Sequence, residues 1–115
     1  RRLLGRFPRL TCDLGGMMVT PNDRGGYGRY WPKHTPYIHL VQADSGKVYP
    51  EMLRLFEDFS DRFLLGTDTA HTPALQFYEE RIHAFRQMLS QMSPATARRI
   101  AHGNAERLFA ARRAP

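Results

Sequence analysis

The sequence predicts an α/β fold, and three observations lead to that expectation. The run Phe63-Leu64-Leu65 is short and apolar and closes on Gly66-Thr67-Asp68, the pattern of a buried strand that presents polar side chains at its carboxyl end. A helix-period stretch beginning at Pro50 ends at Ser60-Asp61, immediately before that run, so a helix, a tight turn and a strand follow one another. Beyond the strand, Thr72-Pro73 and Ser93-Pro94 each place a capping hydroxyl before a proline suited to the first helical position.

Taken in order, Leu3 to Arg6 reads as the end of a helix, broken by Phe7-Pro8 because the residue before proline avoids the helical region. Leu10 to Leu14 reads as a strand bounded by Pro8 and Gly15-Gly16, with Met17 to Val19 extending it beyond the glycines. Residues 19–49 form a long loop, rich in turn chemistry at Thr20-Pro21-Asn22-Asp23 and Gly25-Gly26-Tyr27-Gly28. Within it Tyr37 to Val41 is a short strand or an apolar loop segment, and Ala43 to Lys47 is a turn. In the helix from Pro50, Met52, Leu55, Phe56 and Phe59 form the buried face. The next helix starts at Thr72 as N-cap. Leu75, Tyr78, Ile82, Phe85 and Leu89 step by three and four and are expected to face the core. A third helix carries Ala97 and Ile100 and is expected to stop at Gly103. Asn104 would then cap a last helix with Leu108 and Phe109 inward.

At 115 residues the chain fits one domain. No apolar run approaches the roughly 20 residues of a membrane span, so no membrane association is expected. A single Cys12 excludes an internal disulfide framework and a cysteine-based zinc site, and favours a cytoplasmic setting. The net charge of +6 is uneven: residues 1–34 hold seven Arg/Lys against two Asp, residues 35–97 five against eight acids, and residues 98–115 five against one. Arginines dispersed over solvated faces explain this balance better than a nucleic-acid surface does.

Three blocks resemble the amidohydrolase-related family, the branch of metal-dependent hydrolases and decarboxylases with a TIM-barrel fold. Phe7-Pro8-Arg9-Leu10-Thr11-Cys12-Asp13-Leu14-Gly15 is similar to its "yP-N-l-y-v-D-l-S" segment. Leu53 to Phe56, followed by Asp61-Arg62-Phe63-Leu64-Leu65-Gly66-Thr67-Asp68-Thr69, is similar to its "l…-D-R-f-l-f-G-[ST]-D". Ile100 to Phe109 is similar to its closing "i…-g-N-A-x-r-l-f" helix. Their order suits the C-terminal end of that family. The resemblance implies that residues 1–115 are a C-terminal fragment of a (β/α)8 barrel, with two strands and three to four helices. Leu10–Leu14 would be strand seven and Phe63–Leu65 strand eight. It also implies that Asp68 binds a divalent metal, zinc foremost, or accepts a proton from metal-bound water. His71 would be an auxiliary catalytic residue. Small-molecule substrates would undergo C–N or C–O hydrolysis, or decarboxylation.

The family's strand-one His-x-His does not occur here, and its strand-five and strand-six histidines would precede Arg1. A complete barrel typically takes about 250 residues. The isolated chain is therefore expected to be inactive and to bind no metal tightly, and to meet either the missing N-terminal barrel part or further copies of itself. Other constellations carry less. Convergence of His39, Asp68 and His71 on a metal requires the long loop to fold over the strand end. Cys12 is a better core thiol than nucleophile. The alternative function is a small basic binding module that holds nucleic acid or an acidic partner through the Arg/aromatic loop 24–34, where Arg24, Arg29, Trp31, Lys33 and His34 interleave charge with rings.

Overall fold

The computed structural model of the chain describes residues 1–19, 39–69 and 72–110. Helix α1 (Arg2–Arg6) ends at Phe7, whose extended backbone precedes Pro8 as expected. Strand β1 (Cys12–Asp13) then pairs in parallel with β2 (Phe63–Leu64), in the register Cys12 to Phe63 and Asp13 to Leu64. The connection between them contains α2 (Pro50–Asp58), so the unit is a right-sized β-helix-β crossover. Arg62, just ahead of β2, donates from Nη1 to Phe7 O and Leu10 O, both at 3.1 Å, and so fixes the segment that leads into β1.

The architecture is α/β, as the sequence predicts, with a two-stranded sheet and no closed barrel among the described residues. The expected strand Phe63–Leu65 is one residue shorter, ending at Leu64, and Leu65 N–H, on the side away from β1, donates to Ile100 O at 3.2 Å. Three residues of the segment 39–49 belong to the core: Leu40, Val41 and Val48 are all buried. An antiparallel bridge joins Val41 to Val48 across a turn in which Gly46 takes φ +64°, a conformation glycine adopts without steric cost. Gln91 secures this turn, accepting from Val48 N–H at 2.9 Å and donating to Gly46 O at 3.0 Å. A parallel bridge from Met18 to His39 continues the chain beyond Gly15-Gly16.

The core forms where α2, the sheet, and the later helices meet. Phe56, Phe85, Leu40, Met88 and Ile100 are its largest fully buried side chains. Two expectations about the helices need correction. The helix beginning at Thr72 is not continuous: α3 (Thr72–Leu75) is separated by a turn at Gln76-Phe77 from α4 (Tyr78–Leu89). The break resets the helical phase, so the buried face of α4 is Arg81, Ala84, Phe85 and Met88, while Leu75 and Tyr78 are exposed. Arg81 can occupy a core position because its Nη2 donates to Met17 O at 3.1 Å and its guanidinium lies 5.3 Å from the Phe85 ring centroid.

The second correction concerns Gly103, which does not stop its helix. From α5 (Pro94–Arg98) the chain passes through a π-helical turn (Arg99–Gly103) directly into α6 (Asn104–Ala110). Gly103 keeps negative φ there, since the positive-φ glycines among the described residues are Gly16 and Gly46. Asn104 does not cap a new helix. It is buried and donates from Nδ2 to Ser60 O at 2.7 Å and Phe63 O at 2.9 Å. Phe109, expected inward, is 62% exposed.

The start of α5 shows how a local signal acquires a tertiary partner. Ser93 caps the helix by accepting from Thr96 N–H at 3.3 Å. Glu57 on α2 receives Thr96 Oγ1–H at 2.6 Å, Ser93 N–H at 2.6 Å and Ser93 Oγ–H at 2.9 Å. The Thr96 hydroxyl bond foremost, then the Ser93 amide, hold this carboxyl below its ordinary range, against a smaller desolvation effect. A depressed pKa contributes stability above the unfolded-state value and loses it as pH falls through the folded-state value. Glu57→Ala should therefore cost about 1 kcal/mol near neutral pH, the scale of a lost helix cap. Urea midpoints measured at neutral pH and at about pH 3 should show the difference between variant and parent closing in acid, where Glu57 is protonated in both states.

Candidate functional site

In a parallel sheet both strands present their carboxyl ends on one side, and the loops there surround a shared mouth. Here that mouth is formed by Asp13-Leu14-Gly15 after β1 and Leu65-Gly66-Thr67-Asp68 after β2. Asp68 is exposed, and it is the one non-glycine residue with positive φ (51°) among the described residues. Aspartate tolerates the left-handed region better than most side chains, but the conformation still carries strain of about 1 kcal/mol or more. Such strain is retained where the surroundings define the backbone.

Asp13 is the residue that sequence reasoning did not single out. Its carboxylate Oδ1 accepts Gly15 N–H, a local turn that aspartate makes readily. The same carboxylate lies against the α-carbon of Gly66: a β-carbon at that position would stand 2.8 Å from Asp13 Oδ2 and 2.9 Å from Cγ. A β-carbon on Gly15 would meet Asp13 Oδ1 at 2.8 Å and the Asp68 β-carbon at 3.2 Å. Gly15 thus lies between the two acidic side chains, and the two glycines allow the strand ends to close in on both. The signal in the sequence was the pairing of each aspartate with a glycine two residues away, Asp13 with Gly15 and Asp68 with Gly66.

This close packing has a measurable consequence. Gly66→Ala must displace the Asp13 carboxylate and its bond to Gly15, at a cost of about 1–3 kcal/mol typical of overpacking. In Asp13→Ala the obstruction is absent, so the same substitution should cost less than half as much. A double-mutant cycle of Asp13→Ala and Gly66→Ala by urea denaturation reads this coupling; additive effects would show that the two residues do not meet.

The structure places the other candidates separately. His71 and the Arg/aromatic loop 24–34 lie outside the described residues. His39 is exposed at its bridge to Met18, and the described residues contain no group of three or more His, Cys, Asp or Glu placed to hold a metal ion. Asp13 and Asp68 therefore provide two carboxylates, short of the three or four convergent ligands of a protein zinc site. Cys12 is half-buried and packed on the core, as a structural thiol would be. His83 is exposed on α4, and His102 pairs with Glu106 one turn on, at 3.0 Å, on the surface of the terminal helix. Among the described residues no helix is long and apolar enough to cross a membrane.

Arg81 supports the mouth from behind. Its bond to Met17 O ties the segment that follows Gly15-Gly16 to α4, so the loop carrying the first glycine is held from the core side. A family model described as Amidohydrolase matches residues 1–111. No curated protein and no solved structure matches the chain.

Proposed function

The chain belongs to the amidohydrolase family, and from that premise we propose that it is the C-terminal part of a metal-dependent hydrolase or decarboxylase barrel. In this reading β1 and β2 are the last two barrel strands, and α4 to α6 close the structure. The observation that supports it is the placement of Asp68, an exposed carboxylate at the carboxyl mouth of β2 in a left-handed backbone conformation.

When bound, a divalent metal supplies Lewis-acid polarisation and a water activated at neutral pH. The part of this chain is to present Asp68 as a carboxylate toward the mouth, where it can hold a cation or take up a proton. Asp13 and Gly15 hold the neighbouring strand end in place, and Gly66 lets the two strand ends approach. The donors among the described residues do not complete a metal site, and in the partial-barrel reading further ligands come from outside them. Its substrates are small molecules with a hydrolysable C–N or C–O bond, or a carboxylate to be lost.

The 115-residue chain alone is expected to show no turnover with Zn²⁺ or Mn²⁺ on amide, ester or carboxylic acid substrates. Turnover by this chain alone that disappears in Asp68→Ala would overturn the partial-barrel reading. In a complemented barrel, the same substitution should reduce kcat by about 100-fold or more, the scale of losing a proton-transferring or charge-stabilising group.

A further inference from the structure

The stripe that periodicity marks as a buried face is partly left outside. Leu75, Tyr78 and Ile82 step by three and four, yet Leu75 is 59% exposed, Tyr78 is 44% exposed and Ile82 is only half-buried. The core takes the other side of α4, through Arg81, Ala84, Phe85 and Met88. At about 3.6 residues per turn, Tyr78, Glu79, Ile82 and Arg86 share one flank of the helix, turned away from that core side. With His83 they line an open groove of about 470 Å³.

The charges on this flank suit a second copy of the same helix. Glu79 and Arg86 are seven residues apart, about two turns, with Ile82 and His83 at the midpoint between them. A two-fold axis through that midpoint pairs two α4 helices antiparallel. Glu79 of each copy then meets Arg86 of the other, and the two Ile82 side chains close on one another at the axis. Parallel pairing would instead set Glu79 against Glu79 and Arg86 against Arg86, so the charges select the antiparallel arrangement. α4 carries Glu79 and Glu80 against Arg81 and Arg86, so the chain's net charge of +6 is not concentrated here. The exposed Phe109 on α6 offers no equivalent. Residues 98–115 hold five arginines against one acid, and two copies meeting there would repel.

We propose that the flank of α4 at Tyr78, Glu79, Ile82 and Arg86 is the docking surface for a second copy of this chain, joined antiparallel by two reciprocal Glu79–Arg86 ion pairs around an Ile82 centre. The proposal goes beyond the enzymatic reading and uses none of its residues. A helix of 12 residues is about 18 Å long. The interface it offers is small, and association through it is weak and reversible. The apolar centre supplies attraction, and the ion pairs at its ends fix direction and register.

Sedimentation of the 115-residue chain across a range of concentrations should show a reversible dimer at twice the 13.3 kDa monomer mass. Glu79→Arg and Arg86→Glu, each alone, turn two attractions into two repulsions and should weaken the dimer by about tenfold or more. Mixed in equal amounts, the two variants should associate with each other as tightly as the parent does with itself, because every facing pair is again opposite in sign. The doubly exchanged chain, Glu79→Arg with Arg86→Glu, should also recover the dimer. Both positions are exposed, so circular dichroism should show every variant folded. A folded parent that is monomeric at every concentration leaves this flank to another protein and overturns the proposal. A dimer untouched by either exchange, or single variants that stay apart when mixed, overturns it too. None of these outcomes bears on Asp68, whose assignment stands or falls on metal-dependent turnover.

Discussion

Phe56→Ala is expected to destabilise the chain by about 3–5 kcal/mol, the usual cost of removing a buried aromatic ring from a core. Phe56 is fully buried, and its ring meets that of Phe63 edge-on, with centroids 4.9 Å apart and planes at 89°. This contact joins α2 to β2, and aromatic pairs in this arrangement contribute beyond their buried area. Typical domain stabilities are about 5–15 kcal/mol, so the variant should lose a large fraction of the total. Urea denaturation followed by far-ultraviolet circular dichroism measures the loss. Phe109→Ala serves as the control, because that ring is 62% exposed and its removal should change stability by about 0.5 kcal/mol or less. A cost below about 1 kcal/mol for Phe56→Ala would mean the core is not built on α2.

Asn104→Ala should cost about 2–4 kcal/mol, because it leaves the buried carbonyls of Ser60 and Phe63 without their shared donor. Asn104→Asp has nearly the same shape and should be worse at neutral pH. Its carboxylate donates nothing and faces two carbonyl oxygens in a buried site. Burial and those oxygens raise the folded-state pKa of the introduced carboxyl above its unfolded value of about 4. The variant should therefore gain stability as pH falls, because the protonated acid can donate one of the two bonds. That trend is opposite in sign to the one expected for the Glu57 carboxylate, which loses its contribution in acid. A stability profile of Asn104→Asp that is flat between neutral pH and about pH 4 would show that residue 104 is not buried against those carbonyls.

The local elements were legible because their signals are local. Pro8 ends α1, Pro50 opens α2, Ser93-Pro94 opens α5, and the apolar run after Asp61 is β2. The family was legible for the same reason, since its three blocks are short and contiguous. The site was legible in half: Asp68 stood at the end of an apolar run, whereas Asp13 was hidden in a strand-like segment. What makes Asp13 notable is its packing on Gly66, a contact between residues 53 positions apart. Nothing in the spacing of either residue records that approach.

The misread features share one physical cause. A buried face is a relation between an element and its neighbours, and periodicity describes only the element. The three-four pattern from Leu75 to Leu89 is present in the sequence, but the turn at Gln76-Phe77 breaks the helix and rotates the packed face toward Arg81 and Met88. Arg81 is buried because Met17 O and the Phe85 ring are there to receive it. Gly103 and Asn104 are ordinary helix-ending residues by propensity. They continue the helix because Ser60, Phe63 and Leu65 supply partners for an asparagine amide and a freed carbonyl. By itself, then, the sequence determined the α/β class, the starts of α2 and α5, its family and the position of Asp68. The tertiary structure alone decided which faces are buried, that Asp13 and Asp68 flank one glycine, and which apolar residues of α4 stay on the surface. Those three properties depend on hydrogen-bonding and packing partners distant in the chain, which local sequence patterns do not encode.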